Sequence, residues 1–251
     1  MPGDSLLASE MVTASPTYES RLAGDLDWAL LDADRFFAGT GEVSRTLKNI
    51  AGRLDDLGVP YAVVGGLAMF AHGHRRFTED VDLLVTPKSL ASIHEHLEGG
   101  GYLPPSENSK HLRDTTTGVK VKFLSTGGFP GDGKPKPVAF PDPKDVAVEI
   151  GGVKHLSVPS LVSLRIVAGM TSPHRGKDLV DVQELIKTAG LPASFADELP
   201  EYVRDKFLEL YRYAAEVDPF EQGQPPIGRR GGQDGRLAKQ RRSVRTAISG
   251  I

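Results

Sequence analysis

The stretch Tyr61–Val85, YAVVGGLAMFAHGHRRFTEDVDLLV, constrains this chain more than any other. Tyr61 to Val64 reads as a short buried strand, Gly65-Gly66 breaks it, and Leu67 to Ala71 continues as a short helix. After Arg75-Arg76 a second apolar strand begins with Asp80-Val81-Asp82. Alternate residues of a strand share a face, so Asp80 and Asp82 project side by side while Val81 and Leu83 face the other way. Two carboxylates so placed repel each other unless a cation joins them. Mg²⁺, held by one or two carboxylates and the phosphates of a substrate, relieves that repulsion. Glycine lets the backbone come close to a ligand, and N–H groups at the start of the following helix point at phosphate. Arg75 and Arg76 add positive charge for a triphosphate.

Each part is commonplace by itself. A lone Gly-Gly is usually a turn, an Asp-x-Asp at a strand start is usually an exposed pair, and adjacent arginines are usually solvated surface. Here strand, Gly-Gly, helix, Arg76, Thr78 and Asp-x-Asp all fall within 25 residues. That combination resembles the DNA polymerase beta nucleotidyltransferase superfamily, and the spacing is closest to its AbiEii-type branch. Members of the branch include toxins of toxin–antitoxin and phage-defence systems, and some transfer nucleotides to tRNA ends. The later string Arg175-Gly176-Lys177-Asp178-Leu179-Val180-Asp181-Val182 is similar to that branch's Lys-Asp-x-x-Asp helix. The resemblance spans about residues 45 to 190. It implies that Gly65 and Gly66 line the nucleotide phosphates, with Arg76 and Thr78 beside them. It further implies that Asp80 and Asp82 hold one or two Mg²⁺ ions and that Lys177 reaches the nucleotide. Lys177 and Asp178 also admit a plainer reading, an exposed ion pair near a helix start.

The resemblance implies a third carboxylate on the next strand, and this chain departs from that pattern. In GVKVKFL the matching position is Lys122. Three readings follow: Lys122 faces the surface and Glu149 of VAVEI supplies the third carboxylate; two carboxylates suffice for one metal; or the protein binds nucleotide without transferring it. In the third, Lys122 salt-bridges the aspartate pair. The expected activity is therefore Mg²⁺-dependent transfer of a nucleoside monophosphate from an NTP to a hydroxyl of RNA, tRNA included, or of protein. The alternative is a catalytically impaired nucleotide-binding or regulatory module of the same fold. A cognate antitoxin is the partner that the toxin branch implies.

Elsewhere the apolar pattern alternates helix and strand. Val43, Leu47, Ile50, Leu54 and Leu57 lay one stripe along a helix that Gly58 and Pro60 end. A helix opens at Pro87 and ends at the glycines 99 to 101, and Val119, Val121 and Phe123 alternate with Lys120, Lys122 and Leu124 as a strand. Residues 125 to 144 hold 4 Gly and 5 Pro and predict a long loop. Val146 to Ile150 and Val153 to Leu156 read as a strand pair, and helices are expected over 161–170, 177–189 and 195–217. The fold class is α/β (α+β), a nucleotidyltransferase-like mixed sheet flanked by helices. The expected organisation is a flexible arm over 1–20, an α/β core over 21–156, a helical portion packed on it over 157–217, and a disordered basic tail over 218–251.

Composition narrows the chemistry. With no cysteine there is no disulfide, thiolate metal site or thiol nucleophile. Apolar runs such as Val81–Val85 fall far short of the roughly 20 residues of a membrane span, and the first 20 residues lack Lys and Arg, so a cytoplasmic protein without membrane contact is expected. The formal net charge of −3 averages unlike parts, because residues 223 to 251 carry seven Arg and Lys against Asp234. Such an arm binds RNA phosphates by counterion release, or is merely a solubilising end. Gly128 to Lys134 has the spacing of a phosphate-binding P-loop, but Pro135 and Pro137 forbid the helix that must follow. Lys134 and Lys136 are left either beside substrate or on a plain surface connection.

Overall fold

Alternation within the strands sorts the apolar residues into two layers, one on each side of a sheet. The computed structural model describes residues 16–216. Residues 1–15 of the expected arm and the expected tail over 218–251 lie outside the described residues. In chain order come α1 (Tyr18–Gly24), α2 (Leu26–Phe37), α3 (Glu42–Asp56), β1 (Tyr61–Val63), α4 (Gly65–Ala71), β2 (Asp80–Val85) and α5 (Pro87–Leu97). They are followed by β3 (Tyr102–Leu103), β4 (Leu112–Asp114), β5 (Lys120–Ser125), α6 (Pro143–Val146), β6 (Ala147–Ile150) and β7 (Val153–Leu156). Three longer helices complete the order: α7 (Val158–Thr171), α8 (Gly176–Ala189) and α9 (Glu201–Ala215).

The seven strands form one sheet in the order β3-β4-β5-β2-β1-β7-β6. β2 runs parallel to β5 and β1 parallel to β7, while the other pairs are antiparallel, so the sheet is mixed. One face carries Tyr61, Val63, Val81, Leu83, Val121 and Phe123, packed with Ile50 and Leu54 of α3 and Ile93 and Leu97 of α5. The opposite face carries Ala62, Leu84 and Leu156 against Leu161, Leu164 and Val167 of α7, Leu185 of α8 and Phe207 of α9. α7 is apolar on all sides because it lies between the sheet and the last helices, and Arg165 is its one charged residue.

Local signals set most boundaries. Thr86 caps α5 by accepting from the Ser89 N–H at 3.0 Å, with Pro87 in the first turn, and Gly190 in the left-handed conformation ends α8. α1 begins inside the stretch expected to be an arm; its Tyr18 is buried and donates a 2.7 Å hydrogen bond to Asp32 of α2. The single helix expected over 195–217 is instead a 3₁₀ turn, Ala193–Glu198, followed by α9. Pro200 divides them, since the residue before a proline is driven out of the helical region.

Candidate functional site

Leu84 is wholly buried against α7, and this anchors the face of β2 on which Asp82 and then Asp80 follow towards the strand's open end. The parallel neighbour β5 sets Lys122 beside Asp82 and Leu124 beside Leu84. Lys122 therefore shares the face of the carboxylates. The reading in which it faces away is corrected by this register.

The glycine pair meets the same face. Gly65 has φ +64, and a Cβ on it would come within 2.9 Å of Asp82 Cγ and closer still to Oδ2. A Cβ on Gly66 would lie 2.9 Å from Thr78 Cβ. Both positions thus exclude a side chain for steric reasons, and Gly65 for a conformational one as well. The Thr78 hydroxyl donates to Asp80 Oδ1 at 3.3 Å, and the Val64 N–H donates to the Asp82 carbonyl at 2.9 Å.

Together these elements border a cavity of 470 Å³, within the range of small-molecule sites. Gly65, Gly66, Arg76, Thr78, Asp80, Asp82 and Lys177, all expected from the sequence, line it. Glu149 does not. It sits on the edge strand β6, three strands from β2, paired in register with Lys154 and bordering a separate hollow with Asp55 and Tyr61. Edge position and exposure turn it to solvent, so it supplies no third carboxylate here. Arg75 also points elsewhere, its guanidinium 5.5 Å from the centroid of the Phe70 ring.

Among the lining residues Arg76, Lys110, Lys122, Arg165, Arg175 and Lys177 outnumber Asp80, Asp82 and Asp178, six to three. Asp181, which pairs with Arg76 and Arg165, brings the balance to six cations against four carboxylates, and this net positive charge favours anions. Within it the Lys122 ammonium forms an ion pair with Asp80. Burial alone would lower the affinity of that ammonium for its proton, but the hydrogen bond and charge of Asp80 outweigh it and hold the group above its ordinary value. Asp82 is pushed up to about 6, first by burial and then by the charge of Asp80, against the opposing pull of Lys122 and Arg165. His111 accepts from the Phe123 N–H at 3.1 Å; burial and the neighbouring lysines lower it to about 4, leaving a neutral ring.

The start of α8 is held by a buried charge cluster. Arg165 donates to Asp178 Oδ1 at 2.7 Å and also pairs with Asp181. Arg76 reaches Asp181 Oδ2 at 3.1 Å, His74 lies 3.5 Å from Asp181 Oδ1, and Arg175 Nε donates to Asp178 Oδ2 at 2.6 Å. Asp178 is fully buried, which corrects its reading as an exposed partner of Lys177. Burial depresses the Arg165 guanidinium while Asp181 and Asp178 raise it. The sequence gives one signal for this residue, a lone charge in an otherwise apolar helix.

The long loop after β5 borders the cavity through Phe129, Pro130, Gly131 and Phe140. Its lysines do not: Lys136 Nζ donates to the Pro130 carbonyl at 2.8 Å and pairs with Asp132, and Lys134 is exposed. Among the described residues no group of three or more His, Cys, Asp or Glu is arranged to hold a metal, and the carboxylate donors of the cavity open to a ligand are Asp80 and Asp82.

No family model and no curated protein matches this chain. Solved structures offer partial likenesses. The antigenic nucleotidyltransferase-like protein from Paracoccidioides brasiliensis is 18% identical over 58% of this chain and 76% of its own, with a TM-score of 0.40. ANT(2")-Ia in complex with adenylyl-2"-tobramycin is 15% identical over 67% of this chain and 97% of its own, with a TM-score of 0.44. JHP933 from Helicobacter pylori is 15% identical over 73% of this chain and 83% of its own, with a TM-score of 0.38. At these values the functional reading rests on the residues themselves.

Proposed function

We propose that this chain is a nucleotidyltransferase that moves a nucleoside monophosphate from an NTP to a hydroxyl group of RNA or protein. One observation carries the reading: Asp80 and Asp82 share the face of β2 that opens into an anion-attracting cavity, with Gly65 closed against Asp82 and Arg76 and Lys177 on the same lining.

The donor set fits one hard cation. Asp80 and Asp82 would hold Mg²⁺ through their carboxylate oxygens, at a site where burial and then the charge of Asp80 raise Asp82 to about 6. A second ion would need the third carboxylate, and Lys122 holds that place with the wrong charge. When bound, the ion supplies charge neutralisation at the reacting phosphate. The protein's own groups position and neutralise: Arg76, Arg175 and Lys177 hold the triphosphate and offset the charge that gathers on pyrophosphate as it leaves. Arg165 keeps Asp178 and Asp181 in place and so fixes the direction of Arg175 and Arg76. The acceptor hydroxyl oxygen bonds to the α-phosphorus and gives up its proton to solvent as the bond to the bridging oxygen breaks and pyrophosphate leaves, and no covalent enzyme intermediate is needed.

The Lys122–Asp80 ion pair favours a second reading, a nucleotide-binding module in which a lysine stands in for the metal. Measuring nucleotide binding and label transfer on the same preparation separates the two. An enzyme both binds NTP and passes α-label to an acceptor, whereas a module binds NTP and passes none.

A further inference from the structure

We propose that the apolar wall of this cavity holds the base of the nucleotide and does so without selecting among bases. The inference rests on the nucleotide reading above and adds to it the substrate range. The charged lining comes from β2, Arg76, β5 and the α7–α8 cluster, while Phe129, Pro130, Phe140, Leu161, Leu164 and Ala168 form an apolar portion. None of these six side chains carries a hydrogen-bonding group.

The wall is built rather than incidental. Gly127 N–H donates to the Phe140 carbonyl and Phe140 N–H to the Gly128 carbonyl, both at 2.8 Å, which pins the two ends of the loop together. Gly131, at φ +78, lies so close to α7 that a Cβ would come 3.1 Å from Ala168 Cα, so the loop rests directly on that helix. Phe140 packs on the core cluster that holds Leu161 and Leu164. Phe129 belongs to neither core cluster, and among the described residues its ring pairs with no other aromatic ring. Lys136 Nζ lies 6.0 Å from its centroid. The fold thus presents to the cavity a half-buried aromatic that lies outside both core clusters.

A base offers two kinds of contact. Its π-face stacks on an aromatic ring whatever its identity, whereas its edge identifies it only to groups that donate or accept hydrogen bonds. A site built to hydrogen-bond a substrate rejects the wrong one strongly, and an apolar site discriminates weakly. This wall offers stacking and apolar contact alone, so ATP, GTP, CTP and UTP are all substrates of the same site.

The test is equilibrium binding of the four NTPs and of inorganic triphosphate, each with Mg²⁺, to the full chain and to its Phe129→Ala and Phe140→Ala variants. The expected result is four NTP affinities within about tenfold of one another. Each variant loses about tenfold for every NTP and nothing for inorganic triphosphate, whose retained binding also shows that the variant is folded. A preference of a hundredfold or more for one NTP overturns the proposal, as does NTP affinity unchanged in both variants. Failure of the wild-type chain to bind either NTP or inorganic triphosphate overturns the nucleotide reading itself and the base wall with it.

Discussion

The Lys122 ammonium reaches diagonally across two parallel strands to the carboxylate of Asp80, although the strand register sets it beside Asp82. It thereby places a cation of the chain's own where two adjacent carboxylates call for one. The pair is partly exposed, with 39% of the Lys122 side chain and 19% of the Asp80 side chain accessible, so its strength is that of a screened ion pair rather than a buried one.

A competing charge of that kind weakens divalent binding without abolishing it. Replacing Lys122 with Met is expected to tighten Mn²⁺ binding to the full chain about fivefold, the equivalent of roughly 1 kcal/mol. Electron paramagnetic resonance titration reads this directly, and an unchanged affinity would show that the lysine does not compete for the site.

The α7–α8 cluster sets structural and binding arginines apart. Arg165 is 6% exposed and neutralises two carboxylates, so Arg165→Leu leaves buried Asp178 to Arg175 and Asp181 to Arg76 and His74, and is expected to cost about 3 kcal/mol in urea unfolding. The Arg175 side chain is 48% exposed, so Arg175→Gln is expected to cost at most about 1 kcal/mol while weakening triphosphate binding. Equal stability losses in the two variants would contradict this division.

Gly65 and Gly58 have nearly the same backbone, φ +64 and φ +63, but a Cβ on Gly58 meets open space and one on Gly65 meets the Asp82 carboxyl. Alanine at Gly58 is expected to cost only the strain of positive φ, on the order of 1 kcal/mol. Alanine at Gly65 is expected to cost more and to weaken nucleotide binding as well. Comparing the two by thermal melting and NTP titration isolates the steric role of Gly65.

How much of this was legible in the sequence depends on the range of the interaction involved. The Gly65-Gly66 and Asp80-x-Asp82 elements are local, so strand alternation and glycine sterics point to these four residues, while Arg76, Thr78 and Lys177 of the same cavity rest on charge and on the family resemblance. Lys122 stands out by its position on the next strand, but its direction depends on the β2–β5 register. Glu149 failed because nothing local reveals that β6 is added at the far edge beyond β1 and β7. Helices α1 and α2 carry no long apolar stripe to reveal them, and capping by Thr17 and Asp25 and the buried Tyr18–Asp32 bond decide their structure instead. The short strands β3 and β4 depend on pairing across the sheet.

His155 on β7 is buried and lowered to about 4, first by burial and then by the charge of His72, and among the described residues its Nδ1 has no hydrogen-bond partner. The unfolded chain therefore takes up a proton near pH 6.5 that the folded chain refuses until about 4. This contribution to stability is full above about pH 6.5 and is lost as the pH falls towards 4. In His155→Leu the fall in melting temperature between those values is expected to be shallower than in the wild type, and identical slopes would contradict the assignment.

The most direct test of nucleotidyl transfer is incubation of the full chain with α-labelled NTPs, Mg²⁺, total RNA and cellular protein, beside the Asp80→Ala, Asp82→Ala double variant. The expected result is label on an acceptor with the wild-type chain and a loss of at least about a hundredfold in the double variant, as befits groups that would hold the cation neutralising the reacting phosphate. Bound nucleotide with no label transferred by the wild type, or transfer undiminished in the double variant, would contradict it.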